Sequence, residues 1–256
     1  AMKFLDEKLE IEINENGIVK VPFFTKKEVD SFQKFIVGET QMPDLTTQYG
    51  FIGGVCINDI DEKKKINDKI EQVVMPILDR YLKDYKSLVY SVIGKGVGGH
   101  SKLEIHQDWS VVDESKYGSY SLWVPLIDCT LANGAIHAVK GSHKEFNNVR
   151  GGSIPSIFED EELVAGLMNR MEVVEVKAGE ALLFNQRLVH FSPPNTSEEI
   201  RYSIISSLIP SEADALLYYK EQDDSISVFK MKDDFFNNYN NFLEEKDLEP
   251  KGIKLY

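Results

Sequence analysis

Eight short runs of β-type residues between Leu88 and Leu208 constrain this chain more than any other feature. They read LVYSVIG, KLEIH, SYSLWVPLI, AIHAV, MEVVEV, EALLF, RLVHF and IRYSIISSL, and the breaks between them carry GKGVGG, ANGA, VKGSHK, KAGE and SPPNTS. Gly, Pro, Asn and Ser at such intervals are turn chemistry. Most of the connections are too short for the helix that a parallel crossover needs. The pattern predicts a mainly β fold with flanking helices, a sandwich or jelly roll, interrupted only by the helical segment EDEELVAGLMNRM from Glu159. The glycine-rich turn from Gly94 to Gly99 opens onto another strand rather than a helix, so no phosphate-cradling loop is expected.

Ahead of these strands the chain reads as helical. Thr25 and Glu28 form a capping box, Phe24 and Val29 are spaced as its hydrophobic staple, and Val29, Phe32 and Ile36 mark a helix from about Lys26 to Val37. From Ile66 a second stripe runs through Ile70, Val73, Val74, Ile77, Leu78, Tyr81 and Leu82, with a kink expected at Pro76. With 256 residues, 42% of them hydrophobic, a single domain over 1–256 is expected. Its parts are a helical stretch to about residue 86, a jelly-roll core over about 87–210 and a C-terminal extension over about 211–256.

Composition excludes several function classes. The longest apolar run, Ala215 to Tyr219, falls far short of the roughly 20 residues of a membrane-spanning helix, so no membrane segment is expected. A formal charge of −13 repels nucleic acid and anionic membranes, and the one dense basic cluster, Lys63 to Lys65, reads as a solvated helix face. Cys56 and Cys129 have no C-x-x-C spacing, which argues against a disulfide framework or a cysteine zinc site. Together with an N-terminus that lacks secretory-signal character, this predicts a cytoplasmic location.

The chemistry starts from five histidines. His106 and Asp108 stand at i and i+2 at the end of a strand, an alternation that turns both to one face. His190, in RLVHF, shares a face with Leu188 and enters the core unless it binds a metal or finds a polar partner. A third ligand of this kind is expected from an opposing strand. Two imidazoles and one carboxylate on one face of an octahedron form the triad suited to non-haem Fe(II), with positions left open for a chelating cosubstrate and oxygen. Arg201 follows His190 by eleven residues, inside the next apolar strand. A buried guanidinium must be paired, and its planar fork suits a carboxylate, either a ligand's or one of the chain's own.

Four segments resemble the phytanoyl-CoA dioxygenase-like branch of the Fe(II)/2-oxoglutarate-dependent oxygenases. They are NENGIVKVPFFTKKEVDSF, HQDWS, LWVPLIDCTLANGAIHAVKGSHK and AGEALLFNQRLVHFSPPNTSEEIRYS, and together they span most of the chain from Asn14 to Ser203. The resemblance implies a double-stranded β-helix, the cupin-like jelly roll. It implies Fe(II) held by His106, Asp108 and His190, with 2-oxoglutarate and O2 as cosubstrates. Arg201 and Ser192 receive the distal carboxylate of 2-oxoglutarate in this reading, Trp123 lies nearby, and Ser203 assists from the face it shares with Arg201. Asn133-Gly134 and Gly141-Ser142-His143 look like barrel-shaping turns; Lys140 stands where proline is common. His100, His137 and His143 are non-ligands.

The implied activity is hydroxylation of an unactivated C–H bond of a small molecule, with release of succinate and CO2. A desaturase is an alternative outcome, and a halogenase is opposed by Asp108, which fills the position that a halide requires. A metal isomerase without cosubstrate and a non-catalytic jelly-roll binding module are the rivals from other classes. Five arginines and a charge of −13 disfavour a coenzyme A handle or an acidic carrier, which leaves a free small metabolite as the expected substrate. Trp109 and Arg150 are the substrate candidates near the barrel mouth, and Arg150 is suited to one carboxylate.

Overall fold

The computed structural model describes residues 2–42, 50–232 and 234–238, together with the backbone strand Glu249–Leu255. The chain opens with a short strand, β1 (Lys3–Phe4), and helix α1 (Glu7–Asn16), whose N-terminus is capped by Asp6. Strand β2 (Ile18–Pro22) leads to α2 (Lys26–Glu39), where Thr25 and Glu28 form the expected capping box and Phe24 and Val29 are buried. Strand β3 (Phe51–Gly53) precedes α3 (Ile60–Leu78), in which Pro76 occupies the last turn, and β4 (Leu82–Lys83) then pairs with β1.

Each of the eight expected runs is a strand. They are β5 (Tyr85–Lys95), β6 (Leu103–His106), β7 (Tyr120–Pro125), β8 (Ile136–Ala138), β9 (Glu172–Val174), β10 (Glu180–Asn185), β11 (His190–Ser192) and β12 (Arg201–Pro210), with helix α4 (Glu161–Met168) between β8 and β9. A six-stranded sheet runs β2-β10-β7-β12-β5-β3 and a four-stranded sheet runs β6-β11-β8-β9, with antiparallel pairing throughout.

Side-chain alternation decides what each face covers. Leu122 and Val124 of β7 pack with Leu183, Ile204 and Leu208 against Phe32 and Ile36 of α2 and Ile66, Ile70 and Val74 of α3. Trp123 points the other way, with Leu182 and Phe184, and meets Ile136 and Ala138 of the four-stranded sheet. A fully buried side chain such as Leu122 contributes about 1.5–3 kcal/mol. Two sheets face to face, with helices on the outer side of the larger one, make the jelly roll that the turn spacing predicts.

Two expectations change, and the C-terminal extension gains a structure. The N-terminal part is not purely helical: β2 and β3 form the two edges of the six-stranded sheet. IVKVP carries a lysine and ends in proline, which suits an edge that lacks a further partner. Lys63 is 3% exposed rather than on a solvated face, and its Nζ reaches the Phe236 carbonyl at 3.4 Å, on helix α5 (Phe235–Asn238). The C-terminal extension forms its own antiparallel sheet, β13 (Leu216–Lys220), β14 (Ile226–Lys230) and β15 (Glu249–Leu255). Leu217 and Phe229 of that sheet share a second core with Leu88, Val111, Val112 and Ile209. Among the described residues no helix is long and apolar enough to cross a membrane.

Candidate metal centre

Strand β6 ends at His106 and β11 begins at His190, and their antiparallel register sets the two histidines opposite one another. The pairing is lateral, since His190 comes from the neighbouring strand of the same sheet rather than from an opposing one. Asp108 lies two residues beyond the end of β6 and reaches back to both rings. Its Oδ1 is 3.7 Å from His106 Nε2 and 3.9 Å from His190 Nε2, and the ring centroids are 4.2 Å apart. Ligand atoms at neighbouring corners of an octahedron around one ion at about 2.1 Å lie about 3 Å apart, and each carboxylate–imidazole separation exceeds that by less than about 1 Å.

Each ring is turned to this point by the main chain. Nδ1 of His106 meets the Glu104 carbonyl at 2.7 Å, and Nδ1 of His190 meets the Leu188 carbonyl at 2.9 Å. With Nδ1–H donating there, each Nε2 keeps its lone pair for a metal. Burial, and then the neighbouring His190, lower the His106 pKa to about 4, so this ring is neutral near pH 7. The carboxylate is oriented as well: Ser121 Oγ of β7 donates to Asp108 Oδ2 at 2.5 Å, which leaves Oδ1 toward the rings.

Arg150 serves this loop rather than standing free for a substrate carboxylate. It is 7% exposed, its Nε donates to the Asp108 carbonyl at 2.8 Å, and its Nη1 and Nη2 are forked onto Glu114 at 2.8 and 2.5 Å. Trp109 packs against the second core that Val111, Leu217 and Phe229 form. Arg150 therefore does not match the carboxylate-binding role that the sequence suggested for it.

Deeper in the sandwich the structure brings Arg201, Trp123 and Ser203 together. Arg201 is 2% exposed, with Cζ 5.2 Å from the Trp123 ring centroid. Its Nη1 donates to Cys129 Sγ at 3.2 Å, to the Asn133 carbonyl at 3.0 Å and to the Gly134 carbonyl. Arg201 Nε and Ser203 Oγ are buried with no hydrogen-bond partner. A buried donor left unpaired costs about 1–3 kcal/mol, so the two atoms mark where an acceptor belongs, and a carboxylate fits. Ser192 differs: its Oγ donates to the Gly134 carbonyl at 2.7 Å, which commits its only proton. Gly134 itself has φ 77°, and a Cβ there would collide with Lys95 Cε and the Pro193 carbonyl.

The remaining histidines stand apart. His137 Nδ1 meets the Ala135 carbonyl and its ring packs on Phe191, His143 is buried against the Asn14 carbonyl, and His100 is exposed on the turn before β6. Sequence reasoning missed Ser121, Glu114 and Lys95. Ser121 carried a faint signal, because alternation from Trp123 puts it on the inner face; Lys95 sat inside a string that read as a turn, and Glu114 meets Arg150 only in three dimensions.

A two-sheet jelly roll with this triad has the architecture of the iron and 2-oxoglutarate-dependent oxygenases, and solved structures of that class share the fold. HygX from Streptomyces hygroscopicus, with nickel and 2-oxoglutarate bound, superposes with a TM-score of 0.59 at 17% identity over 86% of this chain and 94% of that one. The epimerase SnoN, in complex with Fe3+, alpha ketoglutarate and nogalamycin RO, gives 0.56 at 17% identity over 82% and 85%. The chain belongs to the phytanoyl-CoA dioxygenase family, whose model matches residues 13–203. The phytanoyl-CoA dioxygenase domain-containing protein 1 homolog of Dictyostelium discoideum is 26% identical over 164 residues, 59% of this chain and 56% of the relative. The chain spans about half the length of the curated relatives it matches.

Proposed function

We propose that this protein is an Fe(II)- and 2-oxoglutarate-dependent oxygenase that hydroxylates an unactivated C–H bond of a free small molecule. The carrying observation is the convergence of His106 Nε2, His190 Nε2 and Asp108 Oδ1 with both Nδ1 atoms tied to main-chain carbonyls. When bound, iron would activate O2, the oxidant, whose four electrons would come two from 2-oxoglutarate, leaving as succinate and CO2, and two from the C–H bond. The chain's part is to hold the ion by three ligands on one side and to orient the cosubstrate by its distal carboxylate on Arg201 and Ser203. Trp123 packs beside Arg201 in that pocket. A cavity of about 240 Å³ is lined by Glu114, Lys116, Tyr117, Ser119, Asn185 and Arg187, and none of the three candidate ligands lines it.

SnoN is an epimerase on the same fold, so epimerisation is the second reading. The test is succinate formation coupled to O2 uptake over a panel of free metabolites and their thioesters, with product masses. Hydroxylation adds one oxygen to the product, whereas epimerisation leaves its mass unchanged. Absence of succinate with every substrate, in protein shown to hold iron, would overturn the proposal.

A further inference from the structure

Lys95 and Arg201 are register partners on β5 and β12, so both side chains leave the six-stranded sheet on the same face. They are 0% and 2% exposed. What surrounds Lys95 is neutral or cationic. Nζ donates to the Ser101 carbonyl and to the Ser192 carbonyl at 3.4 Å, and it stands 5.9 Å from the Phe51 ring centroid of β3. The titratable groups that act on it are Arg201 from β12 and the Cys129 thiol from the segment before Asn133. Among the described residues neither Lys95 nor Arg201 has a carboxylate within ion-pair distance. Two buried cations side by side without an anion are costly, because desolvation and mutual repulsion act in the same direction. Arg201 Nε and Ser203 Oγ, buried beside them without partners, give an independent sign that a ligand completes the pocket.

We propose that Lys95 is a second cation of the cosubstrate pocket and positions 2-oxoglutarate electrostatically, taking up a proton as the dicarboxylate enters beside Arg201 and Ser203. The proton comes from solvent and no covalent bond changes. This rests on the function proposed above. In the free protein burial, and then Arg201, bring the Lys95 pKa down to about 7. A dianion raises it, and by reciprocity protonated Lys95 raises the affinity for the dianion. Below pH 6 the lysine is already charged and no uptake follows. Above pH 7 each binding event draws in a proton, and affinity weakens as pH rises.

The experiment is calorimetric titration of Ni(II)-loaded protein with 2-oxoglutarate at pH 8, in HEPES and in Tris, whose ionisation enthalpies differ. Wild type is expected to take up most of one proton per ligand. Lys95→Met is expected to lose that uptake and about tenfold in affinity, with Ni(II) binding unchanged. Lys95→Arg, permanently charged, should bind without uptake and with a flat pH profile; it also serves if the methionine variant fails to fold. A lysine that only pins the Ser101 and Ser192 carbonyls would leave proton uptake equal in all variants, and that result would overturn the inference while sparing the function. Wild type that holds nickel but binds no 2-oxoglutarate would overturn both.

Discussion

The two ends of the site are chemical opposites. At the His106–His190 end both Nδ1 atoms and Asp108 Oδ2 have partners within the protein, and what is left over on these three residues is a set of lone pairs aimed at one point. At the Arg201 end the leftover groups are donors: Nε of Arg201 and the hydroxyl of Ser203. One end is finished except for a cation, the other except for an anion. On the proposed function, a single barrel would hold a metal at one end and a carboxylate at the other without either ligand set neutralising the other. Trp123, two positions along β7 from Ser121, packs against Arg201.

The comparison breaks most visibly at the metal end. His190→Ala is expected to abolish turnover and to weaken iron binding by more than the roughly 10–100-fold that disturbing a supporting hydrogen bond costs. Equilibrium dialysis with Fe(II) or Ni(II) checks this, and retained metal with retained turnover would sink the triad. Arg201→Ala comes next. Loss of a buried charge-assisted pair costs about 2–5 kcal/mol, which is roughly one and a half to three and a half powers of ten in the 2-oxoglutarate requirement. Metal binding should be unchanged, and a parallel loss of metal would show that the two ends are not separable. The smallest effect is expected of Ser192→Ala. Its hydroxyl donates to a carbonyl that Arg201 also serves, so chemical denaturation should register about 1 kcal/mol or less. The 2-oxoglutarate requirement should not move, and a rise comparable to that of Arg201→Ala would return Ser192 to the carboxylate.

The strands and the His106–Asp108 pair were legible because both are local. A strand run shows as β-type residues between turns, and His106 and Asp108 are separated by one residue. What escaped the sequence depended on register. That His190 pairs sideways with His106, that Lys95 lies opposite Arg201, and that Glu114 occupies the fork of Arg150 follow from which strand and loop meet which. The misread Lys63 has the same origin: the run of lysines looked solvated until α5 closed over one of them. Ser192 was assigned by resemblance alone, and only the hydrogen bond to Gly134 shows where its proton goes.

The lateral pairing of His106 with His190 also sets an order of assembly. The two histidines lie 84 positions apart in the chain, and β11 must find β6 across that separation before the centre exists. Contacts so distant close slowly, because the intervening loop entropy is lost before the contact rewards it. A nascent chain that has emerged only through β10 holds His106 and Asp108 but no third ligand. On the proposed function metal capture would therefore be a late folding event, and the captured ion would stabilise the finished sheet with the logarithm of its free concentration over its dissociation constant. Where iron is scarce, the four-stranded sheet would then be the element whose opening equilibrium shifts first.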